Sequence, residues 1–562
     1  MKTAPLEKVD AGRAVLAALK AEGVRRVYTL PGSHILPVYD AILHESDIQL
    51  ILCKIEASIS FMADVHGRLT GEPGVCLVTA GPGALNSAGG VAQAMASASP
   101  LVHISGAVPP GAGREAFHGV DDPDFTRKAF EPITKWSVRV EAIEEIPAVL
   151  SRAFHVARSG RPGPVHVEMP RVTNTSPNMI AAEPAPAPPY APLPPAFALP
   201  EGEELEALRD ALRRAERPLI VAGKGVPRRG ACLLLAQVAE QLSAPVVQVQ
   251  DALGALPGDH PFAAGFLSMW SVSPAARAAL READLILAVG MRQGSSTAKR
   301  LYEIAGAPIH FASFDGPGEA LPGPRTLAAD PPALLARLRE GAAEAPPERG
   351  EAVRRALALA REEERRQMRV LLDRHREDVP LHPGVVADAL CQEMAEDAIL
   401  ASDVGNCAVW LRSLVPIRGP FSHLQSGTWN SMGFSLPACI AAKLAFPERE
   451  VVGVAGDGAL LMTLGEFSTA ADAGTPIVMV VLNDAGWGMI AQMQRASFGR
   501  SGGYAYREAD LAGTARSLGG EGFRVETPKE LRPALRQALS CGRPAVVDVI
   551  TGDYPYPSFE FR

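Results

Sequence analysis

Several protein classes are excluded by what this sequence lacks. Its seven cysteines (Cys53, Cys76, Cys232, Cys391, Cys407, Cys439, Cys541) are odd in number, widely scattered and never spaced Cys-x-x-Cys. That speaks against a structural zinc site or a disulfide framework and fits a reducing cytoplasm. No apolar run reaches the ~18 residues that a membrane-spanning helix needs, and Met1 to Lys8 lack the apolar stretch of a secretory signal. Basic charge is short as well: 55 Lys+Arg stand against 63 Asp+Glu, a net charge of −8. A nucleic-acid binder would need a clustered basic face, which this balance does not suggest. No Gly-x-Gly-x-x-Gly follows the first strand-like segment, which disfavours a plain nicotinamide dinucleotide enzyme. No short-period repeat is found. The expectation is a cytoplasmic protein without nucleic-acid or membrane partners.

What is present is a large α/β pattern. The 562 residues, 47% hydrophobic and 21% charged, suffice for three or four domains at roughly 150 residues each. Val15, Leu16 and Leu19 line a helical face that stops near Gly23, and short buried strands are expected at Val27–Leu30, Leu50–Ile55, Val75–Val78 and Leu101–Ile104. Such alternation predicts parallel sheets covered by helices on both faces. Residues 1–175 read as a first domain and 176–202 as a proline-rich linker. Residues 203–345 read as a central α/β domain, with strands at Leu219–Val221, Val246–Val249 and Leu285–Val289. A charged helical connector is expected over 346–379, and residues 380–562 form the last domain. The fold class is therefore α/β, with three doubly wound parallel-sheet domains.

The most informative stretch runs from Val451 to Met489. Val451–Ala455 is a β-branched strand ending in Gly456-Asp457-Gly458-Ala459, and Ile477–Leu482 is a second ending in Asn483-Asp484-Ala485-Gly486. Helical spacing from Leu460 to Gly474 joins them. In a parallel sheet both turns lie at the carboxyl edge, where α/β proteins bind ligands. Two carboxylates and a free carbonyl suit a hard cation such as Mg²⁺ or Ca²⁺. Glycine turns before a helix suit a phosphate, so a metal-bridged diphosphate is the expected ligand.

These motifs resemble the diphosphate–magnesium motif of thiamine-diphosphate enzymes. The likeness extends to Ile55-Glu56 and the helix after it, to Val78-Thr79-Ala80-Gly81-Pro82-Gly83, and to Gly160-Arg161-Pro162-Gly163-Pro164. It covers nearly the whole chain and is closest to the acetolactate synthase branch. The resemblance implies pyrimidine-binding, central and diphosphate-binding domains in that order, with thiamine diphosphate and Mg²⁺ as cofactors. It implies metal ligands at Asp457, Asp484 and the Gly486 carbonyl, although Asp484 stands where the family has Asn and adds a negative charge. It implies cofactor contacts at Gly81, Gly405, Asn406, Met432, Gly456, Gly458, Ala459 and Met489. Asn406 is a shorter substitute for the family's Gln or His. Glu56 would hydrogen-bond the aminopyrimidine ring and promote its proton transfer, with pyrimidine and diphosphate held by different subunits. A homodimer at least follows, with a tetramer left open.

Substrate clues are fewer. His34, in Leu30-Pro31-Gly32-Ser33-His34-Ile35, is similar to a proton-relaying His of benzaldehyde lyase, another branch. His118 falls near a position where many relatives have an active-site Gln. Met493 replaces a Trp that shapes acceptor choice in biosynthetic acetohydroxyacid synthases. Gly290–Ser295 and Phe314-Asp315-Gly316-Pro317 depart from the patterns of FAD-binding relatives, which counts against FAD. The implied activity is decarboxylation of a pyruvate-like 2-keto acid and carboligation to a second 2-keto acid or aldehyde. A benzaldehyde-lyase-like lyase and a simple 2-keto acid decarboxylase are the alternatives. Retention of Glu56, Asp457 and Asp484 argues against a non-catalytic regulatory homologue.

Overall fold

The computed structural model describes residues 8–45, 47–108, 116–169, 180–181, 202–313, 325–341 and 344–555. The first unit holds β1 (Lys8–Val9), β2 (Arg26–Thr29), β3 (Gln49–Leu52), β4 (Gly74–Val78), β5 (Leu101–Gly106), β6 (Trp136–Arg139), β7 (Pro164–Met169) and β8 (Ile180–Ala181). The second holds β9 (Pro218–Ala222), β10 (Val246–Val249), β11 (Ala263–Leu267), β12 (Leu285–Val289), β13 (Ile309–Ser313) and β14 (Arg325–Ala328). The third holds β15 (Ile399–Ser402), β16 (His423–Leu424), β17 (Val451–Gly456), β18 (Val478–Asn483), β19 (Glu521–Val525) and β20 (Ala545–Ile550).

Each unit is built on a six-stranded sheet, ordered β3-β2-β4-β5-β7-β6, β11-β10-β9-β12-β13-β14 and β16-β15-β17-β18-β20-β19. Every pairing within them is parallel, while β1 and β8 pair antiparallel beside the first sheet. Numbered within each sheet, the first and third run 2-1-3-4-6-5 and the middle one runs 3-2-1-4-5-6. The expected three α/β layers are therefore present. Strands β4, β5 and β18 are buried along their whole length, as sheets covered on both faces require. The first helix follows the sequence signals: the Asp10 carboxylate accepts from the Arg13 amide, and Gly23 ends the turn at φ +76°.

The first and third units pack directly. Helix Glu56–Thr70 lies against helix Ser435–Ala445, with Phe61 edge-on to Phe434 at 5.9 Å. Phe61, Met62 and Val91 share one apolar cluster with Phe434, Leu436 and Ile440. The middle unit keeps its own core around Ile220, Val247 and Ile286.

Two expected elements differ. The strand expected at Leu50–Ile55 ends at Leu52, because the Lys54 and Ile55 amides donate to the Glu466 side chain instead of a ladder. The helix expected over Leu460–Gly474 is two short ones, Asp457–Thr463 and Glu466–Asp472, broken at Leu464–Gly465. The charged connector contains helix Pro347–Arg374. Apart from Ile180–Ala181 and Gly202, the proline-rich stretch lies outside the described residues, as does Phe314–Pro317. Among the described residues no helix is long and apolar enough to cross a membrane, and all seven cysteines are free thiols.

Candidate active site

At the carboxyl edge of the third sheet, β17 ends at Gly456 and Asp457 opens the next helix, while β18 ends at Asn483 and runs into the Asp484–Trp487 turn. These turns wall a cleft of about 120 Å³ together with Gly405 and Asn406, which follow β15, and with Met432. Gly458, Ala459, Gly486 and Met489 line it too. The third-unit residues expected at the cofactor and metal thus meet in one place, and Met493 does not line it.

The glycines here differ in what their missing side chain does. A Cβ on Gly456 would meet nothing within 4 Å, and one on Gly405 (φ +138°) only the Cys407 sulfur at 4.0 Å, so both backbones border open space. A Cβ on Gly488 would stand 2.2 Å from Asp484 Oδ2, so the second helix can begin beside that carboxylate only without a side chain. Ala485 takes a left-handed φ of +51°, uncommon for a residue other than Gly. Its amide donates to Asn483 Oδ1 at 3.3 Å, and its carbonyl accepts from the Tyr506 amide at 3.0 Å. The Asn483 amide group in turn donates to Asp548 at 2.9 Å.

The electrostatics of the cleft call for a cation. Asp457 is 2% exposed, and among the described residues neither its Oδ1 nor Asn406 Oδ1 has a hydrogen-bond partner. Burial pushes the Asp457 carboxyl above its ordinary value. Burial, then the charge of Asp457, push Asp484 up to about 7. Two crowded, desolvated carboxylates gain most from a hard divalent ion. Among the described residues no three His, Cys, Asp or Glu side chains are grouped to hold a metal. An ion here would therefore complete its shell with the Gly486 carbonyl, ligand phosphate oxygens and water, the usual habit of Mg²⁺. An orphaned carboxylate oxygen and a glycine-lined floor fit a magnesium diphosphate.

A second group of residues gathers at the carboxyl edge of the first sheet. Glu56 is the first residue of its helix, 9% exposed, and accepts from Asn86 Nδ2 at 3.1 Å. A Cβ on Gly83 would lie 3.3 Å from Glu56 Oε1 and 2.8 Å from the Thr79 methyl. Thr79 Oγ1 is 3.3 Å from His34 Nδ1, and the His34 ring stacks on His118 at 4.9 Å. Gly81 (φ +59°) sits so close to the His118 carbonyl that a Cβ would stand 2.2 Å from it. Glu56, Gly81, His34 and His118 thus surround Thr79. None of them lines the diphosphate cleft, whose walls all come from residues 383–554.

Within the chain the Glu56 turn is docked on the third unit by a residue the sequence reading missed. Glu466 Oε1 accepts from the Lys54 and Ile55 amides at 2.9 and 3.0 Å, and Oε2 lies 2.7 Å from Thr469 Oγ1. Burial raises its carboxyl above the ordinary range. Asp403 was also missed: it accepts from the Gly433 and Ser435 amides at 3.0 and 2.9 Å and so braces the Met432 loop. Glu466→Ala should orphan both amides at a cost of about 1–3 kcal/mol each and let the Glu56 turn drift. Chemical denaturation would show the lost stability, and Glu466→Gln, which keeps one acceptor, should recover part of it.

A three-unit α/β enzyme with a cleft lined by glycines and two carboxylates in its last unit is the class these features define. Residues 9–125, 205–317 and 403–549 match, in order, the N-terminal TPP binding, central and C-terminal TPP binding domain models of thiamine pyrophosphate enzymes. The chain is similar to the probable acetolactate synthase large subunit of Methanocaldococcus jannaschii, 31% identical over 96% of this chain and 91% of that one. It is 31% identical to the acetolactate synthase large subunit of Haemophilus influenzae, over 98% and 96% of the two chains. With that of Corynebacterium glutamicum the identity is 30%, over 98% and 88%. The chain belongs to the thiamine pyrophosphate enzyme family, among its decarboxylases and carboligases.

Proposed function

We propose that this chain is a cytoplasmic, Mg²⁺-dependent enzyme that decarboxylates a pyruvate-like 2-keto acid and joins the remaining acyl unit to a second carbonyl compound, as an acetolactate synthase does. The observation that carries the reading is the cleft in which Asp457, Asp484 and Gly486 converge on a glycine floor. The names of the similar large subunits support the acetolactate synthase branch. Bound there, thiamine diphosphate supplies the nucleophilic carbon and the electron sink for losing CO₂.

The chain's own residues have three tasks. Asp457 and Asp484 would hold the metal, with the Gly486 carbonyl beside them, while Gly456 and Gly458 would let backbone approach the phosphates and Met432 and Met489 would supply apolar walls. Glu56, buried and tied to Asn86, would hydrogen-bond the aminopyrimidine ring and assist its proton transfer. His34 and His118 face the substrate end of the first sheet and can pass a proton to a developing alkoxide. Glu56 does not line the cleft that Asp457 lines, and the likeness to thiamine-diphosphate enzymes implies a site that draws Glu56 from one chain and the diphosphate cleft from another. We therefore infer a homodimer at least, and the departures at Gly290–Ser295 and Phe314–Pro317 count against a flavin.

The stack of His34 on His118 and Phe117, at 4.9 and 5.7 Å, favours a second reading, a benzaldehyde-lyase-like cleavage of 2-hydroxy ketones. Incubating the purified protein with thiamine diphosphate, Mg²⁺ and pyruvate, and identifying products by mass spectrometry, separates the two. A 2-hydroxy-2-methyl-3-keto acid with CO₂ release supports the proposal. Benzoin cleavage without turnover of pyruvate would replace it by the second reading.

A further inference from the structure

Helix Pro82–Ser97, which follows the Gly81 turn, packs along helix Glu56–Thr70 through a narrow seam. Two glycines on that seam leave no room for a side chain. A Cβ on Gly83 would stand 2.8 Å from the Thr79 methyl, and one on Gly90 would collide with Ser60 Oγ. Between them the Ser60 hydroxyl donates to the Ser87 carbonyl at 2.8 Å. Residues three and four apart share a helix face, so Gly83, Asn86 or Ser87, and Gly90 recur along the side turned to the Glu56 helix. The separation of the two backbones is thereby fixed where Glu56 begins its helix.

Asn86 spans that separation. Its Nδ2 lies 3.1 Å from Glu56 Oε2, and since an ionised carboxylate can only accept, the amide group donates. Among the described residues Asn86 is the only donor to that carboxylate. Oε1 lies on the Gly83 side, where a Cβ would be 3.3 Å away. The two oxygens are therefore unequal, one engaged by Asn86 and the other beside a glycine. Glu56 is nearly buried, whereas Asn86 is exposed and its neighbour Leu85 is 43% exposed, as Ile55 is 38%. The pair thus stands on an apolar rim.

The last torsion of a glutamate is broad and holds no one orientation by itself. A donor fixed on a neighbouring helix supplies the orientation, and misplacing a reacting group by a small distance costs rate. We propose that Asn86 is a positioning residue: it pins one oxygen of Glu56 and turns the other toward the aminopyrimidine ring, so that proton transfer depends on it more than cofactor retention does. This rests on the role proposed above for Glu56.

Two substitutions separate donation from packing. Asn86→Asp keeps the shape but offers an acceptor where Glu56 needs a donor, and Asn86→Ala removes the group. Both fall at an exposed helical position, where surface changes cost little stability. In the full-length protein with thiamine diphosphate and Mg²⁺, hydrogen–deuterium exchange at the cofactor's reactive ring carbon is read by NMR after acid quench. Exchange should slow at least about tenfold in Asn86→Ala, the loss expected for a hydrogen bond to a charged group, and further in Asn86→Asp. Thiamine diphosphate affinity should fall by less than exchange in both. Added to Glu56→Gln, Asn86→Asp should slow exchange by no more than about a further twofold, because the two side chains act as one unit. The proposal is overturned if Asn86→Asp exchanges as fast as wild type, the result for a contact that only packs. It is overturned too if that substitution costs as much in Glu56→Gln as in wild type. Wild-type exchange in Glu56→Gln itself would remove the role of Glu56 and this inference with it, whereas slow exchange there and fast exchange in Asn86→Asp would remove Asn86 alone.

Discussion

Glu56→Gln should bind thiamine diphosphate with near-unchanged affinity and lose about 10²–10⁴-fold in turnover, the usual worth of a positioned proton-transfer group. The geometry supports separating binding from rate. Glu56 lies at the edge of the first sheet and is not among the residues that line the diphosphate cleft, so its charge should contribute little to holding the phosphates. Gln is the same size and can still accept from Asn86, whose amide stands 3.1 Å from Oε2. It cannot take up a proton. Cofactor affinity by fluorescence titration and single-turnover rates with pyruvate would separate the two quantities, and a variant with near-wild-type turnover would remove Glu56 from its assigned role.

Asp457→Ala should fail one step earlier, at cofactor retention. Asp457 is buried with an unpartnered oxygen, and it opens the helix whose first amides border the cleft. On the proposed assignment its removal takes away a direct metal ligand, so Mg²⁺-dependent thiamine diphosphate affinity should fall by more than about 100-fold, beyond what losing an outer-shell partner costs. The fold should survive, because the truncation also removes a desolvated carboxylate whose proton affinity burial has raised. Calorimetric titration with and without Mg²⁺ would show it. Unchanged metal-dependent binding would place the metal elsewhere.

Legibility in the sequence followed the distance over which each residue's partner lies. The Gly456-Asp457-Gly458 and Asn483-Asp484 turns end β-branched strands that are recognisable locally, and a parallel sheet brings both to one edge. Their meeting in one cleft with Gly405, Asn406 and Met432 followed from that rule and from family likeness. Glu466 was not legible. Its partners Lys54 and Ile55 lie more than 400 positions earlier in the chain, and a lone carboxylate beside an apolar helical pattern reads as an ordinary exposed one. Asp403 escaped for the same reason at shorter range, its role being fixed by amides about 30 residues later. The strand reading that ran to Ile55 failed because periodicity cannot tell an amide donating to a ladder from one donating to a side chain.

Because the residues assigned to the ring and to the metal lie apart in a single polypeptide, defects in them should complement each other. Chains disabled at Glu56 and chains disabled at Asp457, each inert alone, should regain partial activity after being unfolded and refolded together. A mixed pair then has one doubly damaged centre and one that is whole. Statistical pairing puts half of all pairs in that hybrid state, each with one of its two centres intact, which caps the recovered rate near a quarter of the wild-type value per chain.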